Sequence, residues 1–330
     1  MMEKNIKKSV FCVTGASGFI GKHLVRALVT RGEVLVRALS RNLDTTDFVH
    51  PDVTAIQGDL WKPATLASFL MPGCTVINLA YRFSATSAEN LVTAKNLIDV
   101  CRENKIKRLI HCSTAAVFGG NREDVVNERA SCNPSTEYGV TKLLIEQILH
   151  EGSRGHCEYV NLRPTSVFGP GSTTLSELIA NLRQGSMVLN YLRACLLGSR
   201  KTNLVNLDTV IAAIMFLAES DQEKLDGETF IISDDHEPDN NYQFVERYLL
   251  NRLMAKDYAI PPLVVPHAAL SLLLRALGRD SVNPRRIFDS SKIRRAGFCH
   301  KITLEDGLAS FVKWHQAKAI QGHARTYEST

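Results

Sequence analysis

Thr14-Gly15-Ala16-Ser17-Gly18-Phe19-Ile20-Gly21 directly follows the short apolar run 10–13 and opens the helically spaced stretch 19–29. A strand, a glycine-rich turn and a helix in immediate succession give each glycine a separate task. Gly15 permits the tight turn, Gly18 lets backbone N–H groups approach a pyrophosphate, and Gly21 lets the helix pack closely on the sheet. The helix start adds unpaired N–H donors and a partial positive charge, which suit an anion. Gly15, Ser17, Gly18, Phe19, Ile20 and Gly21 are therefore the candidate phosphate-binding positions. A glycine-rich turn without a ligand is the bland reading, and the strand–turn–helix context weighs against it.

Working outward, the apolar run 34–39 reads as a second strand ending in Ser40-Arg41. An acidic residue near that point would bind a ribose 2′-hydroxyl. Serine and arginine stand there instead, and a guanidinium can hold a 2′-phosphate and stack on adenine. The pattern favours NADP(H), with NAD(H) as the alternative. The competing reading makes Arg37 and Arg41 solvated strand-end charges, with Asp44 supplying an acid from the loop. Asp59 and Leu60 follow a third strand, where a carboxylate can accept from the adenine amino group; a helix cap is the competing role for Asp59. Leu79 and Ala80 end a fourth strand and can line the same groove.

Strand-like runs at 54–56, 76–79, 109–112 and 159–162 alternate with helical stretches near 64–70, 89–104 and 138–150. That alternation predicts βαβ units and a doubly wound parallel sheet, a Rossmann-type α/β fold. After Pro170-Gly171 the rhythm changes. A helix is expected at 175–183 and another at 208–218, with 190–197 ambiguous and a strand at 228–233. The expected organisation is a nucleotide-binding domain over 1–170, rejoined by 202–235, and a smaller, mostly helical substrate region from 171–201 and 236–330.

The 330 residues supply ample core material, with 45% hydrophobic and 22% charged, so a wholly disordered chain is excluded. The net charge of +5 is mild, and a nucleic-acid binder would be more basic and more clustered. A small-molecule substrate is expected instead. None of the 8 cysteines forms a C-x-x-C pair, so no metal site is indicated, and free thiols point to a reducing cytoplasm. No signal peptide and no run of 18 apolar residues is evident, so no integral membrane segment is expected.

Tyr138 and Lys142 stand at i and i+4, on one face of a helix. An ammonium beside a phenol stabilises phenolate and is expected to lower the tyrosine pKa from about 10. Tyr138 would then exchange a proton with a hydroxyl or carbonyl. With 8 tyrosines in the chain, a chance Y-x-x-x-K pair is the competing reading. Ser113-Thr114 ends the fifth strand and can hold a substrate oxygen, although such a pair can equally form a turn. Arg163-Pro164-Thr165-Ser166 follows the sixth. In a parallel sheet all these strand ends share one edge, where the ligand crevice forms.

These segments together resemble the extended short-chain dehydrogenase/reductase family, also called the NAD-dependent epimerase/dehydratase family. The resemblance rests on TGASGFIG at 14–21, GDL at 58–60, STAAVFG at 113–119, YGVTK at 138–142 and RPTSVFGPG at 163–171. Later segments at 205–208, 289–298 and 304–308 extend it over nearly the whole chain. It implies Tyr138 as catalytic acid/base, Lys142 as its pKa-lowering partner and Thr114 as the catalytic hydroxyl, with Tyr138 and Lys142 also contacting the cofactor, Lys142 at the nicotinamide ribose. It implies Asn90 and Pro164 as further cofactor contacts, and Thr165, Ser166 and Arg200 beside Thr114 and Tyr138 as substrate contacts. Residues 90–94 depart from the family's N-V-x-G-T stretch, and Phe118 replaces its usual tyrosine. The family's usual assembly implies a homodimer through helices 89–104 and 138–150, whose apolar stripes could equally face the sheet.

The implied chemistry is hydride transfer at a hydroxyl or keto carbon, most readily 4-keto reduction or epimerisation of a nucleotide sugar. Ala115 and Ala116 replace the acidic residues of the family's dehydratases, which disfavours dehydration. Ser40-Arg41 tilts toward a reductase. Arg163, Arg200 and Lys201 are candidates for a diphosphate, against a reading of each as a surface charge. The runner-up is a reductase of a lipophilic alcohol or ketone, as in steroid or dihydroflavonol metabolism, motivated by the apolar stretch 261–277. A non-catalytic NADP-sensing scaffold is the third reading, and the retained Thr114, Tyr138 and Lys142 argue against it.

Overall fold

The computed structural model describes residues 8–43, 48–220, 225–276, 283–300 and 302–327. In chain order the elements are β1 (Ser9–Thr14), α1 (Phe19–Arg31), β2 (Val34–Ser40), β3 (Val53–Gln57), β4 (Thr75–Asn78), α2 (Ser87–Glu103), β5 (Arg108–Cys112), β6 (Val125–Val126), α3 (Glu137–Ser153) and β7 (Glu158–Pro164). There follow β8 (Ser166–Phe168), α4 (Ser176–Gln184), α5 (Met187–Leu197), β9 (Leu204–Asn206), α6 (Leu207–Glu219), β10 (Glu228–Ile232), α7 (Tyr242–Arg252), α8 (His267–Ala276), β11 (Ile287–Phe288), α9 (Ser291–Arg295) and α10 (Leu304–Tyr327).

Seven strands form one sheet in the order β10-β7-β5-β4-β1-β2-β3. β1 pairs in parallel with β2 and β4, β2 with β3, β4 with β5, and β5 with β7. The strand order reverses between β1 and β4, and such a switch point opens a crevice at the carboxyl ends of the strands. The register is specific there: Thr14 pairs with Asn78, Asn78 with His111, and His111 with Asn161. A polar row therefore crosses four strands at this level of the sheet. β4 and β5 are buried throughout, as expected for central parallel strands covered on both faces.

The chain divides into two compact units. The first comprises residues 1–117, 134–163 and 211–230. Its core includes Leu97, Cys101, Leu109, Ile145, Leu149 and Tyr159. α2 and α3 pack against each other here, and a side chain on Gly152 would meet Ile98 at 2.7 Å. α2 is started by a reciprocal capping box between Thr86 and Glu89, which satisfies two orphan backbone donors.

The second unit comprises residues 118–133, 164–210 and 231–330. β6 pairs with β11 and β8 with β9 in two small parallel sheets. These pairings carry segments 118–133 and 202–210 into the second unit, so the division runs differently from a cut at residue 170. Phe168, Leu249, Leu308 and Phe311 lie in its core. α5 resolves the ambiguous stretch 190–197 as helix. Residues 64–70 do not form the expected α-helix: only a 3-10 turn occupies Pro63–Leu66. The apolar stretch 261–277 contributes α8, with Leu263 and Leu272 exposed; Leu277 and Asp44 lie outside the described residues. Among those residues no helix is long and apolar enough to cross a membrane.

α1 starts under unusual crowding. A Cβ on Gly21 would lie 2.2 Å from the Gly15 carbonyl oxygen and 2.7 Å from the Ala16 Cα. Both are backbone atoms, so no side chain can move aside. Gly21→Ala is expected to destabilise the protein by about 3 kcal/mol, toward the upper end for overpacked positions, read as a lower urea midpoint; an unchanged midpoint would contradict the close packing.

Candidate active site

The crevice at the switch point has a volume of about 220 Å³. Gly15, Ser17 and Gly18 line it from the turn after β1, and Ser40 and Arg41 from the end of β2. Asp59 and Leu60 follow β3, Leu79 and Ala80 follow β4, and Asn90 comes from α2. Ten residues chosen from the sequence thus converge on one groove. Phe19, Ile20 and Gly21 form the first turn of α1 and do not line it. Leu39 and Gly58, beside the chosen positions, also line the groove, as do Tyr81, Arg82 and Thr93, which were not singled out.

The turn is built to receive an anion. Gly15 adopts φ +66, and its missing side chain would collide with the Leu79–Ala80 backbone at 2.9 Å. Gly18 caps α1 with no side-chain hydrogen bond, and the first turn holds no acidic residue. The donors and the positive end of the helix are thus left to a ligand. This cradle, with Arg41 exposed on its rim, fits the diphosphate and ribose end of a dinucleotide.

Several polar groups around the crevice are already engaged. Ser40 donates to the Asn42 carbonyl at 2.8 Å. Asp59 accepts from the Trp61 N–H at 3.0 Å, a local turn rather than a helix cap. Asn90 accepts from the Arg82 N–H and donates to the Arg82 and Thr86 carbonyls. Its amide fixes the loop between β4 and α2, a structural task that its sequence context did not reveal.

That loop carries Tyr81 and Phe83 toward Tyr138 on α3. Tyr81 meets Tyr138 edge-on at 5.0 Å, and Phe83 stacks on it at 5.5 Å. Phe83 is 83% exposed. Thr114 stands close enough to the Tyr138 oxygen to favour its charged form, so two members of the proton-transfer set lie together. The sequence reading expected a lowered phenol pKa. Instead burial, with Cys112 and Tyr81 adding to it, pushes Tyr138 up to about 12, while Thr114 pulls the other way.

Lys142 has partners of its own. It is buried, and its Nζ donates to the Cys112 carbonyl at 2.7 Å. The same nitrogen lies 3.4 Å from His111 Nε2 and 5.7 Å over the Tyr81 ring. Burial pushes its pKa down to about 8, against smaller opposing effects of Cys112 and Glu146. The sequence signal for this pocket is a single histidine in the apolar run 109–112.

Arg163 is not a surface charge. It pairs with Glu146 through two hydrogen bonds of 3.1 and 2.6 Å, both side chains being buried. That role replaces diphosphate binding. Pro164, Thr165, Ser166 and Arg200 belong to the second unit. There Thr165 donates to the Ile232 carbonyl, Ser166 to the Asn203 carbonyl, and the Arg200 carbonyl accepts from Tyr242. Lys201 donates to the Pro238 carbonyl. A further cavity of about 370 Å³ in that unit, lined by Arg183, Asn190 and Tyr258 among others, contains none of the candidate residues.

A family model described as the NAD dependent epimerase/dehydratase family matches residues 11–233. The chain is 31% identical over 180 residues to an uncharacterized UDP-glucose epimerase of Bacillus subtilis (strain 168), covering 48% of this chain and 56% of that protein. It spans about half the length of the first curated relatives it matches, 56%, 54% and 50%. A longer match, 27% identical, covers 94% of the chain and 88% of the sterol-4-alpha-carboxylate 3-dehydrogenase, decarboxylating, of Mus musculus. The solved structure of UDP-glucuronic acid 4-epimerase from Bacillus cereus, in complex with UDP-glucuronic acid and NAD, superposes with a TM-score of 0.69 at 20% identity. That match covers 93% of this chain and 99% of the other.

Proposed function

The chain belongs to the NAD dependent epimerase/dehydratase family, an enzyme family, and on that premise we propose that it is an NAD(P)-dependent oxidoreductase working at a hydroxyl or keto carbon, with reduction of a nucleotide-sugar ketone as its direction. The observation that carries this reading is the place of Tyr138, packed edge-on against Tyr81, which lines the groove, with Thr114 beside its oxygen. Burial keeps that phenol protonated at neutral pH, so it has a proton to give. A bound nicotinamide would supply the hydride. Tyr138 then donates its proton to the substrate oxygen, while Thr114 orients that oxygen and Lys142 tunes the phenol. The UDP-glucose epimerase and UDP-glucuronic acid 4-epimerase similarities support a nucleotide sugar as substrate.

Ser40 and Arg41 support NADP(H) as the cofactor, because the groove offers a cation where an acid would suit the free 2′-hydroxyl. NAD(H) is the alternative, and the superposed structure contains NAD. Exposed Val92, Val140 and Leu144 on α2 and α3 support a homodimer, and eight free cysteines support a reducing, cytoplasmic setting. A second reading takes a lipophilic ketone as substrate. The exposed Phe83 ring stacked on Tyr138 and the nearly full-length match to a sterol dehydrogenase favour it. A panel of nucleotide sugars and sterol-like ketones, followed by NADPH absorbance, separates the two.

Tyr138→Phe removes the proton donor and leaves the cradle intact. Turnover is expected to fall by roughly 10²–10⁴-fold, the usual scale for general acid catalysis, with cofactor affinity unchanged; full activity would sink the assignment. Arg41→Asp is expected to move the preference from NADP(H) to NAD(H), by roughly tenfold or more, since a paired charge is replaced by a repelling one. An unchanged ratio of kcat/KM values would refute the cofactor reading.

A further inference from the structure

The row of polar side chains across β1, β4 and β5 has a definite hydrogen-bond polarity. Asn78 Oδ1 accepts from the Thr14 hydroxyl at 2.6 Å and from the Ala80 backbone N–H at 3.3 Å. A backbone N–H can only donate, so this end of the amide is its oxygen. The other end, Nδ2, faces His111 Nδ1 at 3.1 Å and must donate to it. His111 Nδ1 is therefore an acceptor. In a neutral imidazole the remaining nitrogen carries the proton; burial and, less, the charge of Lys142 push His111 well down and keep it neutral, against an opposing effect of the Asn78 backbone. The proton on Nε2 then points at Lys142 Nζ, 3.4 Å away.

An ammonium has three donors and no acceptor. Against an imidazole N–H it brings two donors face to face. An amine has a lone pair that accepts the N–H while still donating to the Cys112 carbonyl at 2.7 Å. We propose that His111 is a positioning residue for Lys142: fixed by Asn78 in the tautomer protonated on Nε2, it selects the uncharged amine and so sets the pH at which the charge beside Tyr138 appears. The consequence for turnover rests on the proton-transfer reading of Tyr138 and Lys142; the titration of Lys142 itself does not.

The other groups facing Lys142 do not reverse this selection. Cys112 is buried, and burial pushes its thiol up, so it stays neutral. Glu146, one turn along α3, is held by Arg163 in a buried ion pair. Tyr138 is a neutral phenol, and the Tyr81 ring presents its face at 5.7 Å. Reduction leaves negative charge on Tyr138, which an ammonium stabilises and an amine does not. Reductive turnover should therefore fall on the alkaline side as Lys142 loses its proton, at a pH fixed through His111.

Asn78→Asp reverses the polarity. A carboxylate oxygen at the former Nδ2 position accepts from His111 Nδ1–H, leaving Nε2 as an acceptor for the ammonium. Protein labelled with 13C at lysine Cε and free of ligand, with Lys142→Arg assigning the resonance, reads the lysine directly. Wild-type Lys142 is expected to titrate well below the exposed lysines. Asn78→Asp should raise its midpoint by roughly 1 pH unit or more, within the range for a neighbouring group that favours the charged form. In the His111→Phe background the same Asp should lose most of that effect, which a plain Coulomb attraction would not. Superimposable curves for wild type and Asn78→Asp, or a full shift without the histidine, would overturn the proposal. Should the variants fail to fold, 15N shifts of His111 in the wild type decide alone: a proton on Nε2 is expected, and a proton on Nδ1 would overturn it. An active Tyr138→Phe enzyme would defeat the functional reading while leaving this titration intact.

Discussion

A carbonyl oxygen and a helix approach each other so closely after β1 that even a methyl group is excluded between them. A side chain on Gly21 would sit 2.2 Å from the Gly15 oxygen. The start of α1 is thereby pinned against the turn, and the turn is pinned against the end of β4, where a Cβ on Gly15 would meet Ala80 at 2.9 Å. The rest of the crevice is measured from this contact. Because the strands are parallel and in register, the ends of β1, β2, β4 and β5 fall along one edge, and side chains distant in sequence reach one groove.

The same register serves the proton-transfer residues. Thr14, Asn78 and His111 occupy paired positions on adjacent strands, so the hydrogen bonds between them follow from backbone pairing, not from chance contacts of long side chains. Buried polar rows are costly unless satisfied; at Asn78 and His111 the partners are the Ala80 N–H and Lys142, while the Asn161 side-chain oxygen at the β7 end of the row is buried without a partner. The phenol belongs to the same economy of burial. Withdrawn from water among Tyr81, Phe83 and Cys112, Tyr138 keeps its proton, and the lysine that might have lowered its pKa is turned toward His111 and the Cys112 carbonyl.

Much of this was legible in the sequence. Apolar runs separated by helical spacing gave the alternating order, and the glycine turn marked the switch point, because both depend on local chemistry. Residues 64–70 misled, since apolar spacing alone does not distinguish a helix from a 3-10 turn opened by Pro63. Arg163 misled for a different reason: its partner, Glu146, is set by tertiary packing, as are the loop carbonyls that hold Asn90 beside the groove. His111 carried a faint signal as a polar residue in a buried strand. Its tautomer depends on Asn78, 33 positions away, and no spacing rule reaches across β4 to find it. The direction of the Tyr138 shift was misjudged because i,i+4 geometry gives proximity to an ammonium without giving the burial that opposes it.

The central claim is that the uncapped start of α1 holds the phosphates of a dinucleotide. Gly18→Asp tests it: its Cβ would stand 3.1 Å from the Gly15 carbonyl oxygen, so the turn must give slightly, but aspartate is a favoured helix N-cap while its charge repels an anion at the same N–H groups. Titration of NADP+ and NAD+ into both proteins by calorimetry, with thermal unfolding as the control, is the measurement. Binding to the wild type, weakened on the order of 10²-fold or more in the variant by a charge set against the helix-bound phosphates at an undiminished Tm, is the expected result. Equal affinity in the two proteins would contradict the account.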